Sequence, residues 1–78
     1  MTIRDLVKTA MKTRMNRQIP FFSHQFQDMV DWGRNFHGKY HTAESYSRAF
    51  RALRESGEIK VEIFKKGQQN GYNILEVR

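Results

Sequence analysis

The hydrophobic period of the chain changes at Gly57. Before this glycine, apolar residues follow the spacing of one helix face, at Tyr46, Ala49, Phe50 and Leu53. After it the period is two, with apolar residues at Ile59, Val61 and Ile63. Glycine commonly follows the last turn of a helix because it adopts the left-handed conformation without strain. The sequence therefore predicts a helix that begins after the N-cap residue Thr42, ends at Gly57 and leads directly into a strand.

A second apolar run, Tyr72–Val77, follows a polar segment at residues 65–71 that contains Gly, Asn and Gln. Such a segment favours a turn, so we expect an antiparallel hairpin with a basic tip. The sequence leaves the inward face of the second strand open. Ile74 alternates with Tyr72, whereas Leu75 alternates with Val77, and only one of these pairs can face the core of a regular strand.

The N-terminal segment predicts a helix over Thr2–Met15. Thr2 is a suitable N-cap, and Asp5, three residues later, completes a carboxylate variant of the capping box. The apolar stripe of this helix consists of Ile3, Leu6, Val7, Ala10 and Met11. A basic row on the other side consists of Arg4, Lys8 and Lys12. Such a row is more often a solvated surface than a contact to a nucleic-acid backbone.

The next segment predicts a short extended piece and a second helix. Pro20 disfavours a helical conformation for the residue before it, so Ile19–Phe22 is expected to be extended or an edge strand. Ser23 is a suitable N-cap for a helix over about residues 24–33, which Gly33 would end. Its inner face would consist of Phe26, Met29, Val30 and either Trp32 or Phe36. Residues 33–41 are then expected to form a turn region.

Length and composition exclude several classes of protein. A chain of 78 residues makes one small domain, and the absence of cysteine excludes disulfides, thiolate zinc sites and cysteine nucleophiles. No apolar run approaches the roughly 20 residues of a membrane-spanning helix, and the charged N-terminus does not have the pattern of a signal peptide. We therefore expect a protein that is intracellular, in the cytoplasm or nucleoid, without a membrane role.

Charge is segregated along the chain. The formal net charge is +6, from 14 Lys and Arg against 8 Asp and Glu. Residues 1–18 carry five basic residues and one acidic residue, and residues 34–57 carry five and two, whereas Asp28 and Asp31 are the only charged residues of segment 19–33. A uniform coat that serves solubility would not segregate in this way. The pattern favours a basic face directed at a polyanion such as nucleic acid.

The order of these elements resembles the winged helix-turn-helix superfamily: helix, short strand, helix, turn, helix and a two-stranded hairpin with a charged tip. The run ALRESGEIKVEIF, in which a helix passes through Gly57 directly into a strand, carries much of the resemblance. It covers essentially the whole chain, without a residue signature that marks one family. The expected fold is α+β, a single winged-helix domain over residues 1–78 with three helices and a C-terminal two-stranded antiparallel wing.

The resemblance implies that the protein binds double-stranded DNA, as a transcription regulator or as an accessory in another DNA transaction. The third helix of such domains enters the major groove, so the candidate base contacts are Ser45, Ser47, Arg48 and Arg51. The wing of such domains lies against the DNA backbone or in an adjacent minor groove, and the candidate backbone contacts here are Lys65, Lys66, Gln68, Gln69 and Asn70. The segment before the third helix adds candidate backbone contacts at Lys39, Tyr40, His41 and Thr42.

The charged candidates each have a structural alternative. Arg48 could pair with Glu44, and Arg51 with Glu55, since both pairs are four residues apart on a solvated helix face. The two lysines of the hairpin tip could instead prevent association through the sheet edge.

No catalytic or metal site is predicted. His37 and His41 are four residues apart, but their segment has the composition of a turn and no carboxylate lies between them. Ser23, His24 and the aspartates do not form a credible catalytic set. We therefore expect no enzyme activity, no metal and no cofactor.

The main alternative function is a winged-helix protein-interaction module that does not bind DNA. Its candidate surface is Asp28, Asp31 and Trp32, where two acidic residues adjoin an aromatic one. RNA binding is a weaker alternative, because no RNA-binding motif is present. Single DNA-binding modules are small, so tight binding would need a homodimer or a larger protein partner. Helix 1 and the hairpin are the candidate surfaces for dimerisation.

Overall fold

Three helices pack against one small sheet in the computed structural model, which describes residues 1–78. The helices are α1 (Ile3–Arg17), α2 (Phe26–His37) and α3 (Ala43–Glu55), and the strands are β1 (Phe21–Phe22), β2 (Ile59–Lys66) and β3 (Gln69–Val77). A 3₁₀ turn at Ser23–Gln25 joins β1 to α2. The predicted α+β class and the three helices are confirmed.

The sheet has three antiparallel strands in the order β1-β3-β2, so the prediction of two strands was wrong. Phe21 pairs with Tyr72, and Phe22 pairs with Gly71. Pro20 has no amide proton to donate, but it lies just before the two residues that pair. The side chain of Phe21 is buried in the core and holds this short strand against β3. The edge strand that was one alternative for Ile19–Phe22 is formed, over Phe21 and Phe22 only.

The predicted inner face of α3 is confirmed. Its buried residues are Tyr46, Ala49, Phe50 and Leu53. The ring of Phe50 contacts three other aromatic rings, and its centroid lies 6.3, 5.7 and 5.0 Å from the centroids of Phe21, Phe26 and Tyr72. These contacts join β1, α2 and β3 to α3. The orientation of α3 about its own axis is therefore set by the core.

A β-bulge resolves the open register of the C-terminal strand. The pairing shifts by one residue between Lys60 and Val61 of β2, which leaves Leu75 as an extra residue in β3. Leu75 is 60% exposed. The residues of β3 that contact the core are Tyr72, Ile74 and Val77. The alternation of Tyr72 with Ile74 therefore describes the strand before the bulge, whereas only Val77 of the second alternation faces the core.

α2 continues through Gly33 and ends at His37, so the predicted end at Gly33 was wrong. Gly38, with a φ of 62°, is the left-handed residue that ends this helix. Gly33 lies inside α2 because a Cβ atom there would overlap the hydroxyl group of Tyr46 on α3. That hydroxyl is buried without a hydrogen-bond partner, and its burial raises the pKa of Tyr46. A close contact between two helices, and not a helix end, explains this glycine.

Other helix boundaries also differ from the prediction. α1 extends two residues further, to Arg17, and Gln18 takes the left-handed conformation with a φ of 56°. Ser23 begins the 3₁₀ turn and does not cap α2. Of the two candidates for the inner face of α2, Trp32 packs against the core, whereas Phe36 is 77% exposed.

Glu58 joins α1 to the junction between α3 and β2. Its carboxylate accepts hydrogen bonds from the guanidinium of Arg4, from Lys8 Nζ at 2.9 Å and from the Ser56 hydroxyl at 3.0 Å. The bond from Lys8 is the largest cause that lowers the pKa of Glu58, and the bond from Ser56 is the next. Two residues of the basic row on α1 therefore act within the fold.

We expect acid to weaken this connection between α1 and the junction. A carboxyl group whose pKa is lowered by folding stabilises the folded state above its ordinary pKa of 4.5. That contribution is lost as the pH falls through the lower folded pKa. Glu58→Gln should therefore lower the melting temperature at neutral pH and have a smaller effect in acid. Thermal melts of both proteins across this pH range measure the difference, and an equal difference at every pH would contradict the prediction.

A double-mutant cycle tests the contact between α2 and α3. Gly33→Ala should destabilise the protein by about 1–3 kcal/mol, because the added methyl group overlaps the Tyr46 hydroxyl. In a Tyr46→Phe background the hydroxyl is absent, so the same substitution should be neutral or stabilising, since Ala favours a helix by about 1 kcal/mol over Gly. Urea unfolding gives the four free energies. An equal cost of Gly33→Ala in both backgrounds would disprove this explanation.

Candidate nucleic-acid interface

The outward face of α3 carries four charged residues. These exposed residues are Glu44, Arg48, Arg51 and Glu55. The helix begins with a well-formed cap, in which the Thr42 hydroxyl accepts a hydrogen bond from the backbone N–H of Ser45 at 3.1 Å. The cap fixes the start of α3, and the buried inner face fixes the rotation of the helix about its axis. The four charged side chains therefore point away from the core.

The two predicted arginines of α3 differ in their partners. Arg48 Nη2 lies 2.6 Å from Glu44 Oε1, which is the ion pair that the structural alternative predicts. Arg51 makes no ion pair, and the corresponding pair with Glu55 is not formed. Arg51 therefore presents an unneutralised guanidinium, whereas the charge of Arg48 is offset by its neighbour.

The two predicted serines are less available than the arginines. The Oγ atom of Ser45 lies 3.0 Å from the Oγ1 atom of Thr42, within the cap of the helix. The two hydroxyl groups are therefore already hydrogen-bonded to each other, although the cap of the helix is exposed to solvent. Ser47 is half-buried on the flank of the helix.

A groove between α3 and β2 brings further charge beside Arg51. It is lined by Arg51, Arg54 and Glu55 from α3 and by Ile59, Lys60, Val61 and Ile63 from β2. Ile63, which the alternating pattern places on the inner face of the sheet, is 51% exposed in this groove. Three of the lining residues are basic and one is acidic. The basic surface around α3 therefore extends onto the first strand of the hairpin.

Arg54 is a groove residue that the sequence analysis left out of the site. Its guanidinium carbon lies 5.4 Å from the ring centroid of Phe50 and 5.2 Å from that of Tyr72. Cation–π contacts of this kind hold the side chain against the core. The spacing of four residues between Phe50 and Arg54 is the signal that could have revealed the first contact, whereas the contact to Tyr72 depends on the tertiary fold.

The segment before α3 contains both exposed and anchored candidates. Tyr40 is 81% exposed, and Lys39 is half-buried. The ring of His41 packs edge-on against Tyr46, with 5.6 Å between the centroids. His41 is therefore held beside the N-terminus of α3, while Tyr40 extends into solvent.

The hairpin tip is tighter than predicted. The strands continue to Lys66 and Gln69, so the turn consists of Gly67 and Gln68 alone, and the prediction of a loop over residues 65–71 was wrong. Of the two turn residues, only Gly67 has a positive φ, 63°, which a two-residue hairpin turn of type II′ requires at its first position. Of the candidate residues of the tip, Lys65, Lys66, Gln69 and Asn70 therefore lie on the strands, and Gln68 lies in the turn.

The strand pleat separates the tip residues onto two faces. Lys65 and Asn70 pair with each other on the side of the sheet that packs against the helices, because they alternate with core residues. Lys66 and Gln69 pair on the opposite side, where they line a shallow depression with Phe22 and His24. The Ser23 hydroxyl donates to Gln69 Oε1 at 3.0 Å. The two lysines therefore point to opposite faces of the hairpin.

Ion pairs divide the basic residues into two groups. Six of the 14 Lys and Arg are paired with carboxylates. The residues without an ion pair are Lys12, Arg14, Arg17, Lys39, Arg51, Arg54, Lys65 and Lys66. They include the basic residues of the segment before α3 and of the hairpin tip. More than half of the basic residues therefore have no carboxylate partner, although Arg14 donates hydrogen bonds to Pro20 and Gln25 and Arg54 packs against Phe50 and Tyr72.

The acidic surface of the alternative function is only partly assembled. Asp28 and Trp32 line a groove between α1 and α2, together with Arg14 and Met29. Asp31 lies outside this groove and pairs with Arg34 at 3.4 Å.

None of the three helices has the length and apolar character needed to cross a lipid bilayer. No group of three or more His, Asp or Glu side chains is arranged to hold a metal ion. No family model, curated protein or solved structure matches the chain. The function is therefore inferred from the geometry of the chain's own residues.

Proposed function

We propose that the chain is a small winged-helix protein that binds double-stranded DNA, with α3 in the major groove and the hairpin tip on the sugar–phosphate backbone. One observation carries the proposal: Arg51 is exposed and has no ion pair, on a helix whose opposite face is buried in the core. The order of the elements, with the short β1 between α1 and α2, supports the winged-helix assignment. A transcription regulator or an accessory in another DNA transaction is the corresponding role.

Arg51 supplies the chemistry that base recognition requires. Its planar guanidinium can donate two hydrogen bonds to O6 and N7 of a guanine in the major groove. Arg48 has the same chemistry. However, its ion-pair partner Glu44 would bring a negative charge close to the DNA phosphates, which would weaken this contact. We therefore assign the principal base contact to Arg51 and a secondary one to Arg48.

The free basic residues supply the contacts that do not depend on sequence. Lys39 before α3 and Lys65 on the helix side of the hairpin have no carboxylate partner. Each lysine that neutralises a phosphate releases a counterion, which makes the affinity depend on salt. The backbone amides at the N-terminus of α3 favour a phosphate at the same end of the interface.

A protein-interaction module is the second candidate function, and two exposed aromatic residues favour it. Phe36 at the end of α2 and Tyr40 before α3 are 77% and 81% exposed. An exposed apolar patch on a small domain commonly marks an interface with another protein. This pair and the groove at Asp28 and Trp32 are the surfaces that such a partner would contact.

The two arginines of α3 provide a matched test of base recognition. Arg51→Ala should weaken binding to the cognate duplex by about 1–3 kcal/mol and binding to random duplexes by less. Arg48→Ala should weaken binding to the cognate and random duplexes more evenly, because it leaves Glu44 unpaired near the phosphates. Selection from random duplexes identifies the cognate site, and fluorescence anisotropy measures the affinities. If Arg51→Ala binds both duplexes as the wild type does, a protein partner becomes the first candidate.

The two lysines of the hairpin tip test the orientation of the wing. Lys65 lies on the helix side of the sheet, so Lys65→Ala should reduce the slope of log K against log salt by about one unit. Lys66→Ala is the control, since its side chain lies on the opposite face, and it should change the slope less. Binding to one random duplex over a salt series gives both slopes. A larger change for Lys66→Ala would place the other face of the hairpin against the DNA.

A further inference from the structure

The two edges of the sheet differ in their capacity to pair with another strand. The β1 edge is two residues long, follows Pro20 and leads at once into the 3₁₀ turn, and short strands next to proline are typical of protected edges. The β2 edge is eight residues long and contains no proline, and the bulge of this sheet lies on β3. Ile63 on β2 is half exposed. β2 is therefore the open edge of the sheet.

We propose that β2 pairs with β2 of a second copy of this chain, antiparallel, about a two-fold axis at Val61. Facing residues of a symmetric antiparallel pair lie at equal distances on either side of the axis. With the axis at Val61, Lys60 lies opposite Glu62 of the second copy, and Glu62 lies opposite Lys60. Ile63, which is 51% exposed, lies opposite the buried Ile59 of the second copy and would gain an apolar neighbour there. Opposite charges and apolar pairs at facing positions stabilise a sheet.

The charges of β2 favour this register over the three registers whose axes lie at Lys60, Glu62 and Ile63. An axis at Lys60 would place two lysines opposite each other, and an axis at Glu62 would do the same with two glutamates. An axis at Ile63 would place Lys60 opposite Lys66. Like charges at facing positions are destabilising. The register at Val61 is the one of these four in which the charged residues of the paired segment attract.

The assembly extends the sheet from three strands to six. The paired segment is residues 59–63 of each copy, so Lys65 and Lys66 remain outside it. The edge of β2 borders the groove that contains Arg51, but the pairing uses only the strand backbone and the facing side chains of β2. The inference does not depend on DNA binding, and it is tested without nucleic acid.

Charge reversal provides the first test. Sedimentation equilibrium of the full chain should show a dimer, and Glu62→Lys should weaken it by about ten- to thirtyfold, since two attractive pairs become repulsive. The double variant Lys60→Glu/Glu62→Lys should recover most of the affinity, although it loses the pair between Lys60 and Glu76 within the chain. Circular dichroism checks that each variant is folded. A wild type that stays monomeric up to about 1 mM overturns the proposal, as does equal weakening in the single and double variants.

Single cysteines provide the second test, because the chain has no cysteine of its own. Val61→Cys would place two thiols directly opposite each other, with Cα atoms about 4.5–5.5 Å apart, which is within the range of a disulfide. Lys65→Cys is the matched control on the same face of the same strand, four residues from the axis. Mild oxidation should link the Val61→Cys variant at least tenfold faster. Equal rates for the two variants would overturn the register.

Discussion

The packing of Phe50 against Phe21, Phe26 and Tyr72 connects elements that are far apart in the sequence. The three rings come from β1, α2 and β3, and each contacts the same side chain of α3. A chain of this size has one core. Removing the Phe50 side chain would therefore weaken the packing of β1, α2 and β3 at the same time. The contact also has a consequence at the surface. Once Phe50 and Leu53 face inward, residues 48 and 51 must face outward, and the charge of the candidate interface follows from the core.

The elements with strong local signals could be predicted from the sequence, and those that depend on distant residues could not. The caps at Thr2 and Thr42 are both formed as predicted, because each needs only the few residues that follow it. Gly33 was misread because a glycine at a helix end and a glycine at a close helix contact look alike without the position of Tyr46. The bulge at Leu75 was visible only as two conflicting alternations, which a regular strand cannot satisfy together.

In the candidate site, too, features with a local signal could be predicted from the sequence and features that depend on the tertiary fold could not. Periodicity predicted that Arg48 and Arg51 face away from the core, and the structure agrees. The sequence could have distinguished the two arginines by the direction of their potential ion pairs. A Glu placed four residues before a basic residue is better oriented with the helix dipole than the reverse, and Glu44 precedes Arg48, whereas Glu55 follows Arg51. The opposite directions of Lys65 and Lys66 follow from the pleat, once the strands are known to continue to the turn.

The small size of the domain limits what one copy can do. A single DNA-binding module covers about 600–1,000 Å² of protein surface on DNA, and in the proposed function this chain would have one α3 and one hairpin to cover that area. Arg54 is already held against Phe50 and Tyr72, so in the proposed function it would lose little side-chain freedom if a ligand occupied the groove. A second copy would add more than any further residue of the same copy, because its contacts form at a high effective concentration once the first copy is bound. β2, which lies next to α3, is also the strand with the open edge. Four residues of β2, Ile59, Lys60, Val61 and Ile63, line the charged groove and also lie in the segment proposed to pair, so the pairing would bring two such grooves close together.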